Sequence, residues 1–335
     1  MIRRANIGTT AVLVAVAVCH LALAQQPPTA TLTIDITNQL QYQEDIYDPV
    51  KFARNANITP SLGIGTGILN FAVATVLGDI VAVNGQPAKG LFAARDRFIF
   101  VNTAPAPGEA IADVRRNAIR EFTYEILQPD GTAIGSIMGM GFNVGDPPPG
   151  QPSTEMANWA ITGGTGAFLG ARGQVEGSGG AGRAASMAED PANRRQNGGN
   201  PNRYFLHIIP MTAPQIVTTA NGPAITHSTD FSLVNASKPA AAGEILSLFA
   251  SGLGPVRGVV TGQPFPSNPV ATVNSPVQVM VNGNAAEVIG AVGYPGSVDG
   301  YQVNFRVPSD TPKGTASIQV TAAWISSAAV IIAVQ

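Results

Sequence analysis

Cysteine and histidine are almost missing from this sequence, with one Cys and three His in 335 residues. Charge is thin as well, at 12% of residues against about a quarter in ordinary soluble domains. Each shortage excludes something. A coiled coil, a long-helix bundle or an acidic disordered tail would need far more Glu, Lys and Arg. A formal charge of −2 gives no basic footprint for nucleic acid. Zinc sites and thiol nucleophiles have almost nothing to draw on. Helical patterning is scarce too, and its best stretch, Glu109 to Arg120, is short and Ala-rich. What is present is a chain that is 45% hydrophobic, enough to bury a core, punctuated by 37 Gly and 26 Pro.

The N-terminus accounts for the lone cysteine. Arg3 and Arg4 precede an apolar run from Ala11 to Ala24, which closes on Ala22-Leu23-Ala24 before Gln25-Gln26-Pro27-Pro28. A charged start, a short apolar stretch and a small-x-small end have the form of a secretory signal. The run falls short of the roughly 20 residues a membrane-crossing helix needs. Val18 stands where a lipoprotein signal would want a small residue before Cys19. The expectation is a signal peptide over 1–24, cleavage after Ala24, and a secreted, cell-surface or periplasmic product without a membrane span. Cleavage would leave 311 residues with 17 Lys+Arg against 21 Asp+Glu, no cysteine, and His207 and His227 as the only histidines. Chains of this size can build a sufficient core without disulfides.

Period-two alternation organises the remainder. Leu32, Ile34 and Ile36 alternate with Thr31, Thr33, Asp35 and Thr37, and Phe122, Tyr124 and Ile126 alternate with Glu121, Thr123 and Glu125; both read as half-buried strands. Asn84-Gly85 between two such runs is a hairpin signal. Residues 177–202 are rich in Gly and Asn and read as a long exposed loop, and 211–228, with Pro214 and Asn221-Gly222-Pro223, as a linker. Residues 229–335 hold nine charged side chains and alternate plainly at Val277/Val279/Val281, Tyr301/Val303/Phe305/Val307 and Ala316/Ile318/Val320. Short strands with turns at that spacing predict a β-sandwich. The domain plan is therefore a first β domain over 25–210, a linker over 211–228 and a sandwich over 229–335.

The most conspicuous string is Thr162-Gly163-Gly164-Thr165-Gly166-Ala167-Phe168-Leu169-Gly170. It imitates a dinucleotide loop, but Leu169 stands where the pattern wants glycine and no βαβ unit surrounds it. A Gly-rich corner between two strands is the better reading. With Ala160-Ile161 before it and Ala171-Arg172-Gly173 after it, the string resembles the signature of dirigent proteins and related allene-oxide-cyclase-like barrels. Gly78-Asp79-Ile80 through Asn84 to Phe92 fits an inner hairpin of that family more loosely. The resemblance spans about residues 30 to 210. It implies an eight-stranded antiparallel barrel with a cavity, a homotrimer, an apolar small-molecule ligand and no metal or organic cofactor. Plant dirigents place an Arg-Glu pair just before the glycines; Ala157 and Asn158 stand there. The motif residues Gly163, Gly164, Thr165, Gly166, Arg172 and Gly173 read as structural, with Arg172 bracing the turn.

The C-terminal part resembles a second family. Gly243-Glu244-Ile245-Leu246-Ser247-Leu248-Phe249, Gly252-Leu253-Gly254-Pro255, Val281-Asn282-Gly283-Asn284-Ala285-Ala286 and Gly300-Tyr301-Gln302-Val303-Asn304-Phe305-Arg306-Val307-Pro308 are similar to the immunoglobulin-like, TIG-like domain that ends many secreted acidobacterial proteins. Such modules space, display or bind. The fold expected for the whole chain is all-β, an antiparallel eight-stranded β-barrel followed by an immunoglobulin-like β-sandwich.

No catalytic constellation or metal site emerges. A G-x-S-x-G elbow is absent, His207 lies in an apolar strand, and His227 lies in the expected linker. Arg95, Glu121, Tyr124 and Glu125 are the candidates for a polar pocket in the barrel; for the three charged ones an outward, solvated face is the better reading, because exposed charges need no partner and buried ones do. Two functions stay open. One is a non-catalytic protein that binds a small molecule or assembles at a surface. The other is a cofactor-free barrel enzyme, an isomerase or a coupling guide acting on an apolar molecule. A lumen lined by Arg95 or by Glu121 and Glu125 beside aromatics favours the second, and a lumen filled with packed apolar side chains removes it.

Overall fold

A computed structural model of the chain describes residues 29–43, 69–100, 117–144, 158–178, 183–186, 196 and 198–335. The expected signal peptide lies outside them. All regular structure among the described residues is β, and no helix there is long and apolar enough to cross a membrane.

The first nine strands are β1 (Ala30–Gln43), β2 (Leu69–Val83), β3 (Gln86–Phe100), β4 (Asn117–Leu127), β5 (Ala133–Val144), β6 (Asn158–Gly166), β7 (Arg172–Ser178), β8 (Arg183–Ser186) and β9 (Asn200–Ile209). Strands β1 to β7 pair in sequence, β7 pairs with β9, and β9 returns to β1. That circuit is a closed, eight-stranded antiparallel barrel, so no unpaired edge is left among its members. Alternation sets which residues fill it. Leu32, Ile34 and Ile36 of β1, Phe92 of β3, Phe122, Tyr124 and Ile126 of β4, and Tyr204, Leu206 and Ile208 of β9 join one buried cluster, while their neighbours in sequence face outward.

One irregularity matters for the interior. The pairing of β1 with β2 slips between Thr37 and Leu40, with Asn38 at φ 51°, a conformation Asn tolerates better than most residues. The Asn38 amide donates to Asp79 Oδ2 at 3.0 Å. Such a bulge re-aims the side chains that follow it. Gln39 turns inward beside Gly78, where an added Cβ would collide with Ile36 and sit 3.6 Å from the Gln39 Cβ. Leu40 and Tyr42 pack instead with Leu77 in a separate small cluster. Beyond the bulge β8 lies parallel against β1 at Leu40 to Gln43.

The remaining strands are β10 (Gln215–Ile216), β11 (Thr218–Thr219), β12 (Gly222–Pro223), β13 (Ile225–His227), β14 (Ile245–Ser251), β15 (Val277–Val281), β16 (Asn284–Gly293), β17 (Gly300–Arg306), β18 (Gly314–Ala322), β19 (Ile325–Ser326) and β20 (Val330–Val334). Apart from β11 and β12, which pair with each other, they form a second curled sheet closing on its own apolar core as a sandwich. Strand β16 joins its layers: residues 284–286 pair with β15, and from Glu287 onward the strand pairs with β17 across a slip between Val288 and Gly290. Bends and bulges of this kind let one strand serve two layers.

Three expectations need correction. The helix expected over Glu109 to Arg120 is not formed at its end, because Asn117–Arg120 begins β4; the earlier part lies outside the described residues. The loop expected over 177–202 contains the end of β7, strand β8 and the start of β9. The span 211–228 is largely short strands, and Ile225–His227 is buried against Leu246 to Leu248. Pro214 immediately precedes β10, and Gly222–Pro223 is itself β12.

The sandwich seats on one end of the barrel. Ala323 and Ile325, flanking the turn from β18 to β19, join the barrel's buried cluster, with Trp324 and Ala213 packed beside them. The Trp324 indole N–H donates to Gln86 Oε1 at 3.0 Å, the Gln128 amide donates to the Asn274 carbonyl, and Arg257 donates to Thr132 Oγ1 at 2.6 Å and Asp130 Oδ2 at 3.3 Å. The barrel turns after β2, β4 and β6 all lie at this end.

Candidate functional site

At the other end of the barrel the inward-facing positions are not all apolar. The inward set of β3, Phe92 and Ala94, runs on to Asp96; that of β4, read backward from Phe122, runs to Arg120. The two residues are paired across the strands. Both are buried, Asp96 at 0% and Arg120 at 6% exposure. Arg120 Nε donates to Asp96 Oδ1 at 2.6 Å and Nη2 to Oδ2 at 2.5 Å, the two-pronged geometry that makes Arg–carboxylate contacts strong. Gln39 from β1 and Asn202 from β9 are buried as well, and the Tyr204 hydroxyl donates to Gln39 Oε1 at 3.0 Å.

Rings make up the rest. Phe92 stacks on Tyr124 at 4.8 Å between centroids, Phe122 meets Trp159 at 5.4 Å, and Trp159 meets Tyr204 at 5.7 Å. The Arg120 guanidinium lies over the Trp159 ring at 4.5 Å, within range of a cation–π attraction. Two polar atoms in this group have no partner: the Tyr124 hydroxyl and the Trp159 indole N–H are both buried without a hydrogen bond. Buried polar atoms are rarely left this way.

The electrostatics follow from burial and from the ion pair. Burial works to lower the Arg120 pKa, but hydrogen bonding and charge from Asp96, with smaller contributions from Tyr204 and Tyr124, raise it. The guanidinium is therefore a permanent cation. Burial pushes the Tyr124 hydroxyl well above 10, with Tyr204 adding to the shift and Arg120 opposing it. Burial likewise raises Tyr204, against the opposing charge of Arg120 and the bond to Gln39. Both tyrosines remain protonated donors at any physiological pH. Chemically the group offers a fixed cation already neutralised by a carboxylate, surplus hydrogen-bond donors and flat apolar walls. Among the described residues no three His, Cys, Asp or Glu cluster as metal ligands.

Of the residues expected from sequence, Tyr124 is part of this group. Arg95, Glu121 and Glu125 sit one position out of phase with it and are exposed on the barrel's outer face, Arg95 directly opposite Glu121. Asp96 and Arg120 escaped notice although the signal existed. Extending the Phe122-Tyr124-Ile126 phase two residues back reaches Arg120, but Arg120 had been read as the end of a helix. Trp159, Tyr204 and Gln39 carried no comparable signal, and Gln39 faces inward only because of the bulge.

The glycine string lies at the opposite end. Gly163 to Gly166 close β6, and the turn that follows is held by its own amides: Ala167 N donates to Ile134 O at 3.0 Å, Phe168 N to Thr165 O at 3.1 Å, Leu169 N to Gly166 O at 3.2 Å and Gly170 N to Gly164 O at 3.3 Å. A phosphate loop needs such amides pointing outward; here they are consumed. Gly164 admits no Cβ because Phe168 O occupies the space, and Gly166 has φ 61°. Thr165 Oγ1 meets Ser136 Oγ at 2.6 Å. Arg172 Nη1 donates to Ala171 O at 2.9 Å and Gly170 O at 3.3 Å, and a Cβ on Gly173 would strike His207 O. The two histidines stand apart from the lumen: His207 is half exposed, 3.9 Å from Glu176, and His227 bonds Glu244 in the sandwich at 2.5 Å.

No known protein-family model matches this sequence, and no curated protein matches it.

Proposed function

We propose that this is an exported, non-catalytic β protein whose barrel binds a small, largely apolar molecule at the end remote from the sandwich, with the sandwich acting as a spacing or display module. The observation that carries this reading is the pair of partnerless buried donors, Tyr124 O–H and Trp159 Nε1–H, beside the Arg120–Asp96 pair. A barrel interior selected only for stability would fill these positions with apolar side chains, since a buried ion pair is weak support for a fold and an unmet donor costs stability. Barrels of eight strands are wide enough either to be filled by side chains or to hold one small ligand. The resemblance of residues 160–173 to the dirigent and allene-oxide-cyclase-like barrels supports the same use, as does the similarity of the C-terminal part to TIG-like modules.

Native mass spectrometry of the protein purified without denaturant tests it. The expected result is a non-covalent adduct that disappears on denaturation. A bare mass that stays bare after incubation with a panel of apolar small molecules overturns the reading. One observation favours catalysis as the second reading: a buried ion pair, Arg120 with Asp96, beside the Tyr124 hydroxyl is a preorganised polar group able to answer a charge shift in a reacting molecule. Conversion of the bound molecule during the incubation selects that reading over simple binding.

A further inference from the structure

We infer that the lumen takes a neutral, flat, hydrogen-bond-accepting molecule of the aryl ketone or quinone class, in preference to an acid or a phenol. The inference rests on the binding function proposed above and names the ligand chemistry of that same site.

Three balances lead to it. The first is charge. Arg120 would be an anion receptor if it were alone, but Asp96 already meets it with both oxygens, at 2.6 and 2.5 Å. The pair is neutral as a unit, so a carboxylate ligand would bring a charge that no second buried cation among the described barrel residues compensates. The second balance is hydrogen bonding. An indole N–H can only donate, and the Trp159 N–H has no acceptor; the Tyr124 hydroxyl is equally unmet. Of the nearby acceptors, the Asp96 oxygens are used by Arg120 and Gln39 Oε1 by Tyr204, while the buried Asn202 amide brings one acceptor and two donors of its own. The site therefore has donors to spare, and its complement is a molecule that accepts without bringing a hydrogen of its own. A phenol or alcohol introduces another donor, and a water introduces two. A carbonyl oxygen introduces none and brings two lone pairs with which to accept.

The third balance is shape. Phe92, Phe122, Tyr124, Trp159 and Tyr204 stand with ring centroids 4.8 to 5.7 Å apart, and Arg120 already uses the face of Trp159 as a stacking surface. Walls of this kind favour planar ligands that stack or meet ring edges. A carbonyl conjugated to an aromatic system unites flatness with the missing acceptor.

Isothermal titration of the full chain with three matched probes, acetonaphthone, naphthol and naphthoate, tests the inference. The expected order is ketone tightest and carboxylate weakest. Tyr124→Phe and Trp159→Phe are each expected to weaken ketone binding by about 3- to 10-fold, the worth of one hydrogen bond. The exposed control Arg95→Gln should leave it unchanged, and far-ultraviolet dichroism and a thermal melt verify that each variant is folded. Naphthoate binding as tightly as the ketone overturns the charge argument. Naphthol binding as tightly, or ketone affinity indifferent to both substitutions in folded variants, overturns the donor argument. If none of the probes binds while native mass spectrometry shows an adduct, the ligand class falls and the binding function stands. If no probe binds and no adduct forms, both fall.

Discussion

The sandwich interior is built from Val, Ile, Leu and Ala with three rings, Phe265, Tyr301 and Phe305, whereas the barrel interior carries Asp96, Arg120, Gln39 and Asn202 among five contacting rings. Several polar groups buried in the sandwich are partnered: Ser247 Oγ donates to Asn304 Oδ1 at 2.9 Å, Val320 N donates to Ser327 Oγ at 3.1 Å, and His227 bonds Glu244. Asn274 Oδ1 and Ser275 Oγ, which have no partner, sit where the sandwich meets the barrel. The same chain thus closes one core by apolar packing and leaves another with an ion pair and unmet donors toward one end. Since both cores fold in the same solvent, the difference points to use rather than to folding. A sandwich that spaces or displays needs only to be stable; a barrel that binds must hold groups that would be better satisfied by something else.

The ion pair offers the hardest test of that contrast. Asp96→Asn leaves the Arg120 charge buried without its counter-ion and should cost about 3–5 kcal/mol, whereas replacing the pair together by Asp96→Leu and Arg120→Met should be neutral or stabilising by about 1–4 kcal/mol. Urea unfolding followed by fluorescence measures both, and in a Trp324→Phe background the remaining tryptophan, Trp159, reports on the barrel. A costly double replacement would mean that the pair is there for stability, and the contrast between the cores would collapse.

Alkaline pH separates the cores next. Burial raises Tyr124 and Tyr204 above 10 in the fold, while in the unfolded chain they ionise near 10. Their contribution is fully present below pH 10 and declines as pH rises above it, because the unfolded chain sheds protons that the fold retains. Each contributes a slope of about 1.4 kcal/mol per pH unit while that difference persists. The sandwich has one such group, Tyr301, raised mainly by burial and further by Asp299. Barrel unfolding should therefore be the steeper function of pH, and Tyr124→Phe should reduce its slope. Equal slopes for barrel and sandwich transitions would contradict the placement of two protonated hydroxyls in the lumen.

Trimming one heavy atom from each core should then give opposite signs. Tyr124→Phe removes a hydroxyl that has no partner and should stabilise the unliganded protein by about 1–2 kcal/mol. Ile318→Val removes one methylene from a fully buried site and should destabilise it by about 0.5–1.5 kcal/mol. Thermal melts without ligand measure both changes. If Tyr124→Phe destabilises, the hydroxyl is satisfied in solution by a water or a neighbour, and the surplus of donors that distinguishes the barrel disappears.

Much of the architecture was legible because strand periodicity is a local signal. Leu32-Ile34-Ile36 and Val303-Phe305-Val307 announce buried faces whatever they pair with, and Asn84-Gly85 marks a hairpin without reference to the remainder of the chain. The site was less legible because it depends on phase and on closure. Glu121 and Arg95 attracted attention as charges beside aromatics, yet alternation places them outside and places Arg120 and Asp96 within. The pairing of β3 with β4 brings those two together across 24 residues of sequence, and the closing of β9 onto β1 brings Tyr204 to Gln39 across 165. Neither adjacency can be read from a window of sequence. The strands within 211–228 were hidden for another reason: segments of two or three residues are too short to show a period, and β10 and β13 take their order from the edge of β14 on which they lie, β11 and β12 from pairing with each other.

The outer face of the barrel supplies the smallest effect and the sharpest control. Glu121 and Arg95 oppose each other on β4 and β3, both exposed to solvent, one residue away from the buried Arg120 and Asp96. A cross-strand pair in water contributes only about 0.2–1 kcal/mol, because both charges are solvated whether or not they meet. Glu121→Gln should therefore shift the unfolding midpoint slightly, and less at high salt than at low salt, since screening weakens an exposed pair. Ligand affinity measured by titration should not change. The neighbouring Arg120→Gln, one position along the same strand, exchanges a buried cation for a neutral amide opposite a buried carboxylate and should damage stability and binding together. A response to Glu121→Gln as large as the response to Arg120→Gln would mean that β4 is turned the other way, with the lumen lined by the opposite set of side chains, and the contrast between the two cores would have to be redrawn from that strand outward.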